Sequence, residues 1–248
     1  MNSQLLSGGK HYDLLINWEK RLVLEVPFLR RYITGVKPQI KTILEVGCAT
    51  GRHTQILQQM EELQVTGIDI DESMIDEAKK RVPKAEFIVQ DFLDLKNRKF
   101  DSIISLGNSV GLIAQSADYY SIIERFSQLL RRSNGLLIFQ LLNTEIEREG
   151  WSSPRSITTA DGEFIFLRGF TTTAKCIHPE ILTLYKSNNE AKWEIQTSGR
   201  ANIPRISHQE MIKLLNQFEF REIRVFGSYH EEVFDPDNSV DMIFVCHT

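Results

Sequence analysis

The sequence predicts an α/β fold, in which a parallel sheet carries helices on both of its faces. Three observations support this prediction. Short apolar runs, each long enough for one strand, alternate with segments of helical periodicity. The runs are almost entirely apolar, as strands that are covered on both faces require. A glycine-containing turn follows the first run, where a strand would lead into a helix.

The strands and helices of this fold can be assigned from the pattern. The predicted strands are 42–47, 64–70, 85–90, 101–107, 135–142, 220–228 and 239–247. The predicted helices are 52–61, 72–81, 118–131 and 207–218, the last starting with a capping box of Ser207 and Glu210. Residues 11–34 also have helical periodicity, and Pro27 predicts a break between two helices there.

Residues 151–203 interrupt this alternation. Three strand-like runs occur there, and Asn188 and Asn189 supply a turn between the last two. We therefore predict an N-terminal helical cap (1–40), an α/β core (41–150 and 204–248) and an antiparallel insertion (151–203). The insertion would cover the substrate or form a dimer contact.

Composition excludes several classes of function. The 248 residues carry a net charge of -4, which disfavours a nucleic-acid partner. No apolar run is long enough to span a membrane, and the N-terminus has no signal-peptide pattern. The three cysteines, Cys48, Cys176 and Cys246, lie far apart without metal-ligand spacing. This distribution favours a reducing, cytoplasmic location and predicts no metal site.

The turn ILEVGCATGRHT (43–54) bears the first candidate residues. Gly47 and Gly51 permit backbone conformations and close approaches that side chains would block. Ala49 stands where a dinucleotide fingerprint has its middle glycine. The alternatives are a nucleotide-binding turn and an ordinary strand-to-helix turn.

Acidic residues follow the next two predicted strands. Asp69 occupies the position from which a carboxylate binds ribose hydroxyls, whereas Asp71 is placed to cap the following helix. Asp91 and Phe92 come after the third strand, where they could bind an adenine amino group and pack on its ring. A solvated loop is the alternative for this pair.

The fourth strand ends in LGNS (106–109), a polar cluster at the edge where a reacting group would bind. The alternative is a glycine turn capped by Asn108. Together, the ExGxxxG turn, the two acidic positions and FDxIxxLGNS resemble the class I S-adenosylmethionine-dependent methyltransferases over residues 41–143 and 205–248. The resemblance implies a Rossmann-like sheet with an antiparallel β insertion after the fifth strand.

The resemblance also implies S-adenosylmethionine as cofactor, with S-adenosylhomocysteine as its product. Glu45 would lie near the amino-acid portion of the cofactor. The full set of residues that the resemblance assigns to the cofactor is Tyr12, Arg21, Glu45, Gly47, Ala49, Gly51, Asp69, Ile70, Met74, Asp91, Phe92 and Leu106.

LGNS and the N-terminal stretch HYDLLINWEKRLVLE are similar to the glycine/sarcosine and amino-sugar N-methyltransferases. In those relatives a tyrosine and an arginine close over the cofactor, and Tyr12 and Arg21 are the matching positions. Trp18 would share a helical face with Arg21. Leu112 stands where the glycine-methylating pattern often has a histidine, which argues against glycine as the substrate.

The resemblance implies in-line transfer of a methyl group to a small molecule, with an amine nitrogen favoured. O- or C-methylation and a non-catalytic cofactor-binding protein, whose insertion makes a homodimer, are the alternatives. Asn108 and His178 are the candidate catalytic residues. The candidate substrate-binding residues are Asn108, Asn143, Arg168 and Tyr229, and Arg155 joins Arg168 as a candidate for binding an anionic group.

Overall fold

The structure is a computed structural model that describes residues 8–34, 39–60 and 63–248. Its helices are α1 (Gly8–Leu15), α2 (Trp18–Ile33), α3 (Arg52–Gln58), α4 (Glu72–Arg81), α5 (Ser109–Ile113), α6 (Tyr119–Leu129) and α7 (His208–Gln217). Among these described helices, none has the length and apolar character needed to cross a membrane.

The strands form two sheets. The core strands are β1 (Thr42–Val46), β2 (Gln64–Asp69), β3 (Glu86–Val89), β4 (Ser102–Ser105), β5 (Leu136–Leu142), β12 (Arg221–Phe226) and β13 (Asp241–His247). The insertion contributes β6 (Gly150–Trp151), β7 (Arg155–Thr158), β8 (Gly162–Thr172), β9 (Cys176–Ser187), β10 (Glu194–Arg200) and β11 (Ile203–Pro204).

The core sheet has the strand order β12-β13-β5-β4-β1-β2-β3. Strands β1 to β5 are parallel, as predicted, whereas β13 runs antiparallel to β5 and β12. After β1 the chain adds β2 and β3 on one side of β1, and it then crosses over to add β4 on the other side. The crevice at the carboxyl ends of β1 and β4 is therefore the expected ligand site of this open sheet.

Two hydrophobic clusters cover the two faces of the core sheet. Alternate residues of one strand divide between them, as Leu44 and Ile43 of β1 do. Helices α6 and α7 pack on the first face, while α2 and α3 pack on the second. Phe28 and Leu29 of α2 are almost fully buried in the second cluster. Part of the segment 1–40 thus belongs to the core layer.

The insertion is antiparallel, as predicted. Its sheet has the order β10-β9-β8-β6, with β7 paired to β8 and β11 to β9. Phe164 and Phe166 of β8 form a third apolar cluster with Leu15 of α1. The insertion therefore packs against the N-terminal helix, and this contact brings α1 and the insertion together over one end of the core sheet.

The break predicted at Pro27 is wrong. Helix α2 continues through Pro27, and the break falls before its N-cap Asn17, whose side chain accepts a hydrogen bond from the Lys20 amide. Pro27 lies on the exposed face of α2, as does Val23 four residues earlier. The carbonyl that loses its helical partner at this proline is thus on the side of the helix that faces water.

The antiparallel strand β13 is joined to β5 by a stacked pair of phenylalanine rings. Phe139 and Phe244 are fully buried, with ring centroids 4.7 Å apart and an interplanar angle of 7°. We expect Phe244→Ala to lower the free energy of unfolding by about 3–5 kcal/mol, because it leaves a cavity in the core. Urea denaturation measures this change. Val23→Ala, at a position 71% exposed on α2, is the control and should change it by less than about 0.5 kcal/mol. Equal effects of the two substitutions would contradict this description of the core.

Candidate functional site

The turns that follow β1 and β4 touch each other. Gly47 has φ 71°, and a Cβ on it would fall on the side chain of Ser109, which begins α5 after β4. Gly51, the N-cap of α3, has φ 73°, and a Cβ there would lie 3.0 Å from the Cβ of Ala78. Both glycines are thus required by the packing of the protein itself, in addition to any ligand.

Asp69 joins the end of β2 to the glycine turn. One of its carboxylate oxygens accepts the Ala49 amide N–H at 2.9 Å, and the other accepts the Asp71 amide at 3.0 Å. A carboxylate oxygen has more than one lone pair, so both oxygens retain capacity for further donors. Asp71 caps α4, as predicted, by accepting from the amides of Ser73 and Met74. Burial raises the pKa of Asp69.

An exposed apolar surface lies beside Asp69. Ile70 is 71% exposed, an unusual environment for isoleucine at a strand end. The other two predicted apolar contacts, Met74 and Leu106, are buried to 5% and 6% exposure. Asp91 is exposed, and its side chain caps the short 3-10 turn Phe92–Asp94 through the Leu93 amide. Its predicted contact with adenine stays a prediction.

Phe92 does not have the predicted position. Its ring is only 3% exposed and packs against Phe126 of α6, with ring centroids 5.1 Å apart. The backbone after β3 turns this ring inward to the core cluster on the first face of the sheet. Packing of Phe92 on an adenine ring is therefore wrong, and the two phenylalanines form a core contact instead.

Arg21 reaches from α2 to the turn after β4. A Cβ on Gly107 would lie 3.1 and 3.2 Å from the two terminal guanidinium nitrogens of Arg21. The guanidinium also lies over the Trp18 ring, 5.3 Å from its centroid, which confirms that the two side chains share a helical face. Tyr12 is next to Trp18, and burial raises the pKa of this tyrosine to about 12. Its phenol is thus neutral near pH 7.

A buried ionic network sets the position of Arg21. The Arg21 guanidinium donates to one oxygen of Glu25 at 2.6 Å, and Nε2 of His53 lies 2.5 Å from the other oxygen. Nδ1 of His53 lies 3.6 Å from Glu45 of β1, which also accepts the hydroxyl of Thr54. Burial alone would lower the pKa of His53, but the hydrogen bonds to the two carboxylates raise it to about 9. His53 is therefore a cation near pH 7.

The same network holds Glu45 in the interior of the protein. Its observed partners are His53 and Thr54, and it is 3% exposed. The predicted proximity of Glu45 to a cofactor stays a prediction. No local sequence pattern marks Glu25 or His53, because their partners come from separate elements of the fold.

A second ionic cluster fastens α1 to the glycine turn. Asp13 accepts hydrogen bonds from Arg52 at 2.7 and 3.0 Å, from Arg81 at 2.5 Å and from the hydroxyl of Thr50 at 2.7 Å. Burial alone would raise the pKa of Asp13, but these donors lower it. Arg81 also donates to the Thr50 carbonyl. Helix α1 is thus held beside the turn that bears Gly51.

Asn108 and Tyr229 flank the end of β5. The Asn108 side-chain oxygen accepts the Leu142 amide at 2.9 Å, while Gln140 accepts both the Tyr229 hydroxyl and the Gly107 amide at 2.9 Å. An open pocket of about 480 Å³ is lined in part by Tyr229 and by Asp241, the first residue of β13. Burial raises the pKa of both of these residues.

The structure gives two predicted site residues structural roles. His178 lies in β9, and its ring nitrogens contact Asn202 at 2.8 Å and Thr173 at 3.4 Å. Asn143 is fully buried, and its side chain bonds the backbone of residues 145, 236 and 239. The polar atoms of both side chains are thus used within the protein, and catalysis by His178 and substrate binding by Asn143 stay predictions.

The His53 network makes a prediction about stability and pH. Since the pKa of His53 is raised from 6.5 to about 9, its stabilising contribution is complete below pH 6.5 and is lost as the pH rises through about 9. We expect His53→Gln to lower the free energy of unfolding at pH 6.5 by about 3–5 kcal/mol, because it leaves buried carboxylates without their cation. We also expect the variant to lose stability less steeply than the wild type between pH 6.5 and 9.

Urea denaturation at the two ends of this pH range measures both effects. His230→Gln, at an exposed position, is the matched control and should follow the wild type. An unchanged pH dependence in His53→Gln would show that another group titrates.

Comparison with known proteins identifies related chains. Residues 43–133 match a family described as "Methyltransferase domain". The dTDP-3-amino-3,4,6-trideoxy-alpha-D-glucopyranose N,N-dimethyltransferase of Streptomyces venezuelae is 26% identical over 156 residues, which are 62% of this chain and 65% of that enzyme. The match thus spans just under two thirds of that relative.

Solved structures resemble the chain over nearly its whole length. The sugar N-methyltransferase KedS8 from a Streptoalloteichus species has a TM-score of 0.77 at 15% identity, over 98% of this chain and 94% of that one. The S-adenosylmethionine-bound amino pentose methyltransferase CalS10 from Micromonospora echinaspora has a TM-score of 0.73 at 14% identity, over 94% and 92%. At these identities the similarity establishes the fold.

The matched region runs from β1 to just beyond α6, and so contains both turns that meet in the crevice. The predictions of an α/β sheet and of an insertion after its fifth strand are confirmed. Residues 43–133 match a methyltransferase-domain family, and the chain has the α/β fold of the solved methyltransferase structures CalS10 and KedS8.

Proposed function

We propose that this protein transfers a methyl group from S-adenosylmethionine to a small-molecule acceptor, with an amine nitrogen as the favoured target. One observation carries the proposal. Arg21, Asp69 and Ile70 converge at the carboxyl edge of the sheet, around the junction of the β1 and β4 turns. These groups suit a carboxylate, a ribose and a flat aromatic base, all three of which this cofactor contains.

The residues at the crevice fit the cofactor. Asp69 has carboxylate lone pairs to spare for ribose hydroxyls, and Ile70 offers 71% of its surface to an adenine ring. Arg21, over Gly107, would bind the carboxylate, and Tyr12 would cover this group. When bound, S-adenosylmethionine supplies a methyl group that is already activated by a positively charged sulfur.

The chain has to align the acceptor and exclude water. Helices α1 and α2 serve this purpose, because Asp13 fastens α1 to the glycine turn and Glu25 fixes Arg21. The Asn108 oxygen is held by the Leu142 amide, so its NH₂ group is the part that can orient an acceptor.

An amine must lose its proton before it attacks. Asp241 lines the open pocket, and burial raises its pKa, which makes its carboxylate a better proton acceptor. Tyr229 is unsuited as a base, since burial raises its pKa well above 10. We propose that Asp241 takes up the proton and that Tyr229 contacts the acceptor. The relative of Streptomyces venezuelae, an N,N-dimethyltransferase by name, supports nitrogen as the target.

The first prediction concerns the cofactor. Asp69→Ala should weaken binding of S-adenosylhomocysteine roughly 10- to 100-fold, because hydrogen bonds between a charged group and the ribose are lost. Asp71→Ala is the control, since it removes the α4 cap and leaves the carboxylate of Asp69 in place. Isothermal titration calorimetry measures both constants. Absence of binding to the wild-type protein would refute the proposed function.

The second prediction concerns the acceptor. With labelled S-adenosylmethionine and panels of amines, amino sugars, amino acids and phenols, we expect label in nitrogen-containing products. Asp241→Asn should lower kcat and shift the pH profile of the reaction, with cofactor affinity unchanged. Label in hydroxyl compounds alone would favour O-methylation, and label at carbon would favour C-methylation. Cofactor binding without any transfer would favour a non-catalytic binding protein.

A cytoplasmic location and a homodimer also stay proposals. The three cysteines are free, which is consistent with a reducing compartment. Strand β10 is an edge of the insertion sheet, where Trp193 and Ile195 are 39% and 67% exposed. Pairing of this edge across a twofold axis would cover them. Light scattering of wild-type protein and of Ile195→Lys tests the dimer, which the substitution should dissociate.

A further inference from the structure

We propose that Arg155 and Arg168 of the insertion form a binding site for a negatively charged group of the methyl acceptor. The identity of the ligand as an acceptor rests on the proposed function, whereas the site itself rests on the geometry of the two arginines. The acceptor class that follows is an amine that also carries a phosphate or a carboxylate.

The two arginines converge on one point. Arg155 lies on β7 and Arg168 on the adjacent strand β8, and each donates a single hydrogen bond of 3.1 Å to the carbonyl oxygen of Leu15. This carbonyl is at the end of α1, and Tyr12 lies three residues earlier on the same helix. Both guanidinium groups are thus fixed where the insertion meets the N-terminal helix.

The positive charge at this point is not compensated. In the described part of the chain, neither Arg155 nor Arg168 forms an ion pair with a carboxylate, and Leu15 is the acceptor for both side chains. A carbonyl has no net charge, and a guanidinium has five N–H groups, so most of the donors are unused. Arg168 is exposed and Arg155 is partly exposed, so that a ligand can reach both.

Capping of α1 is a weaker explanation for the pair. The negative pole of a helix corresponds to about half an elementary charge, which is less than the charge of two guanidinium groups. Two arginines on neighbouring strands present two planar guanidinium groups to the same carbonyl, and guanidinium groups recognise phosphate and carboxylate oxygens.

The location of the pair favours the acceptor over the cofactor. Partial desolvation lowers the pKa of Arg168, Tyr12 raises it, and the positive charges of Arg155 and Arg21 lower it. Arg21 is held over Gly107 by Glu25, where it suits the cofactor carboxylate. Arg155 and Arg168 lie on the insertion and donate to the end of α1. A second anion is therefore needed to neutralise them, and the acceptor is the molecule that remains to supply it.

The test is calorimetric titration of inorganic pyrophosphate, and separately of malonate, into protein saturated with S-adenosylhomocysteine at constant ionic strength. Saturation occupies the proposed contact of Arg21 first. We expect at least one anion to bind, and Arg155→Gln or Arg168→Gln to weaken binding about tenfold or more. Tighter binding of pyrophosphate indicates a phosphate-bearing acceptor, and tighter binding of malonate a carboxylate-bearing one.

Controls separate a binding role from a structural one. Arg200→Gln removes another insertion arginine, which pairs with Glu180 at 3.2 Å, and should bind the anions as the wild type does. Arg168→Lys keeps a charge and a donor for Leu15, so it should bind more tightly than Arg168→Gln with an unchanged melting temperature. If the glutamine variants unfold, the anion affinity of Arg168→Lys relative to the wild type decides the outcome.

The proposal is overturned if neither anion binds the saturated wild-type protein, or if both glutamine variants bind as the wild type does. If S-adenosylhomocysteine itself fails to bind, the proposed function fails instead. The anions are then titrated into Arg21→Gln, and into Arg21→Gln combined with Arg155→Gln or Arg168→Gln. Binding that is weakened by the second substitution supports the anion site independently of the proposed function.

Discussion

The site depends on the buried ion network of Arg21, Glu25, His53 and Glu45. These four residues come from α2, the start of α3 and β1, and none can be moved without leaving a buried charge uncompensated. The network therefore fixes the N-terminal helix relative to the glycine turn. It also determines the direction of the Arg21 guanidinium, which lies over Gly107.

The same arrangement explains why α1 and α2 have different roles. Helix α2 contributes Phe28 and Leu29 to the core and is an integral layer of the fold. Helix α1 makes its polar contacts through Asp13 to the glycine turn and its apolar contacts through Leu15 to the insertion. It is thus placed between the two parts of the protein that would hold the cofactor and the acceptor. Its end is also where the two insertion arginines meet.

Local sequence was sufficient wherever a residue acts through its own backbone segment. The Asp71 cap, the Ser207–Glu210 capping box and the turn at Asn188 were predicted because their partners lie within three residues or so. The buried apolar strands were predictable for a similar reason, since two covered faces leave no polar alternation. Pro27 misled the prediction because the cost of proline depends on whether its helix face is exposed.

The sequence by itself determined the α/β core, the insertion, the glycine turn and the position of Asp69 after β2. Only the tertiary structure decided which polar residues are available for a ligand. Asn143 and His178 have the same chemistry as the other candidate site residues, but their partners in other segments already use their polar atoms. The Phe92 ring likewise has a partner in another segment, Phe126 of α6, and packs against it in the core. His53 and Glu25 gain their importance from contacts 28 residues apart in the chain, which no local pattern encodes.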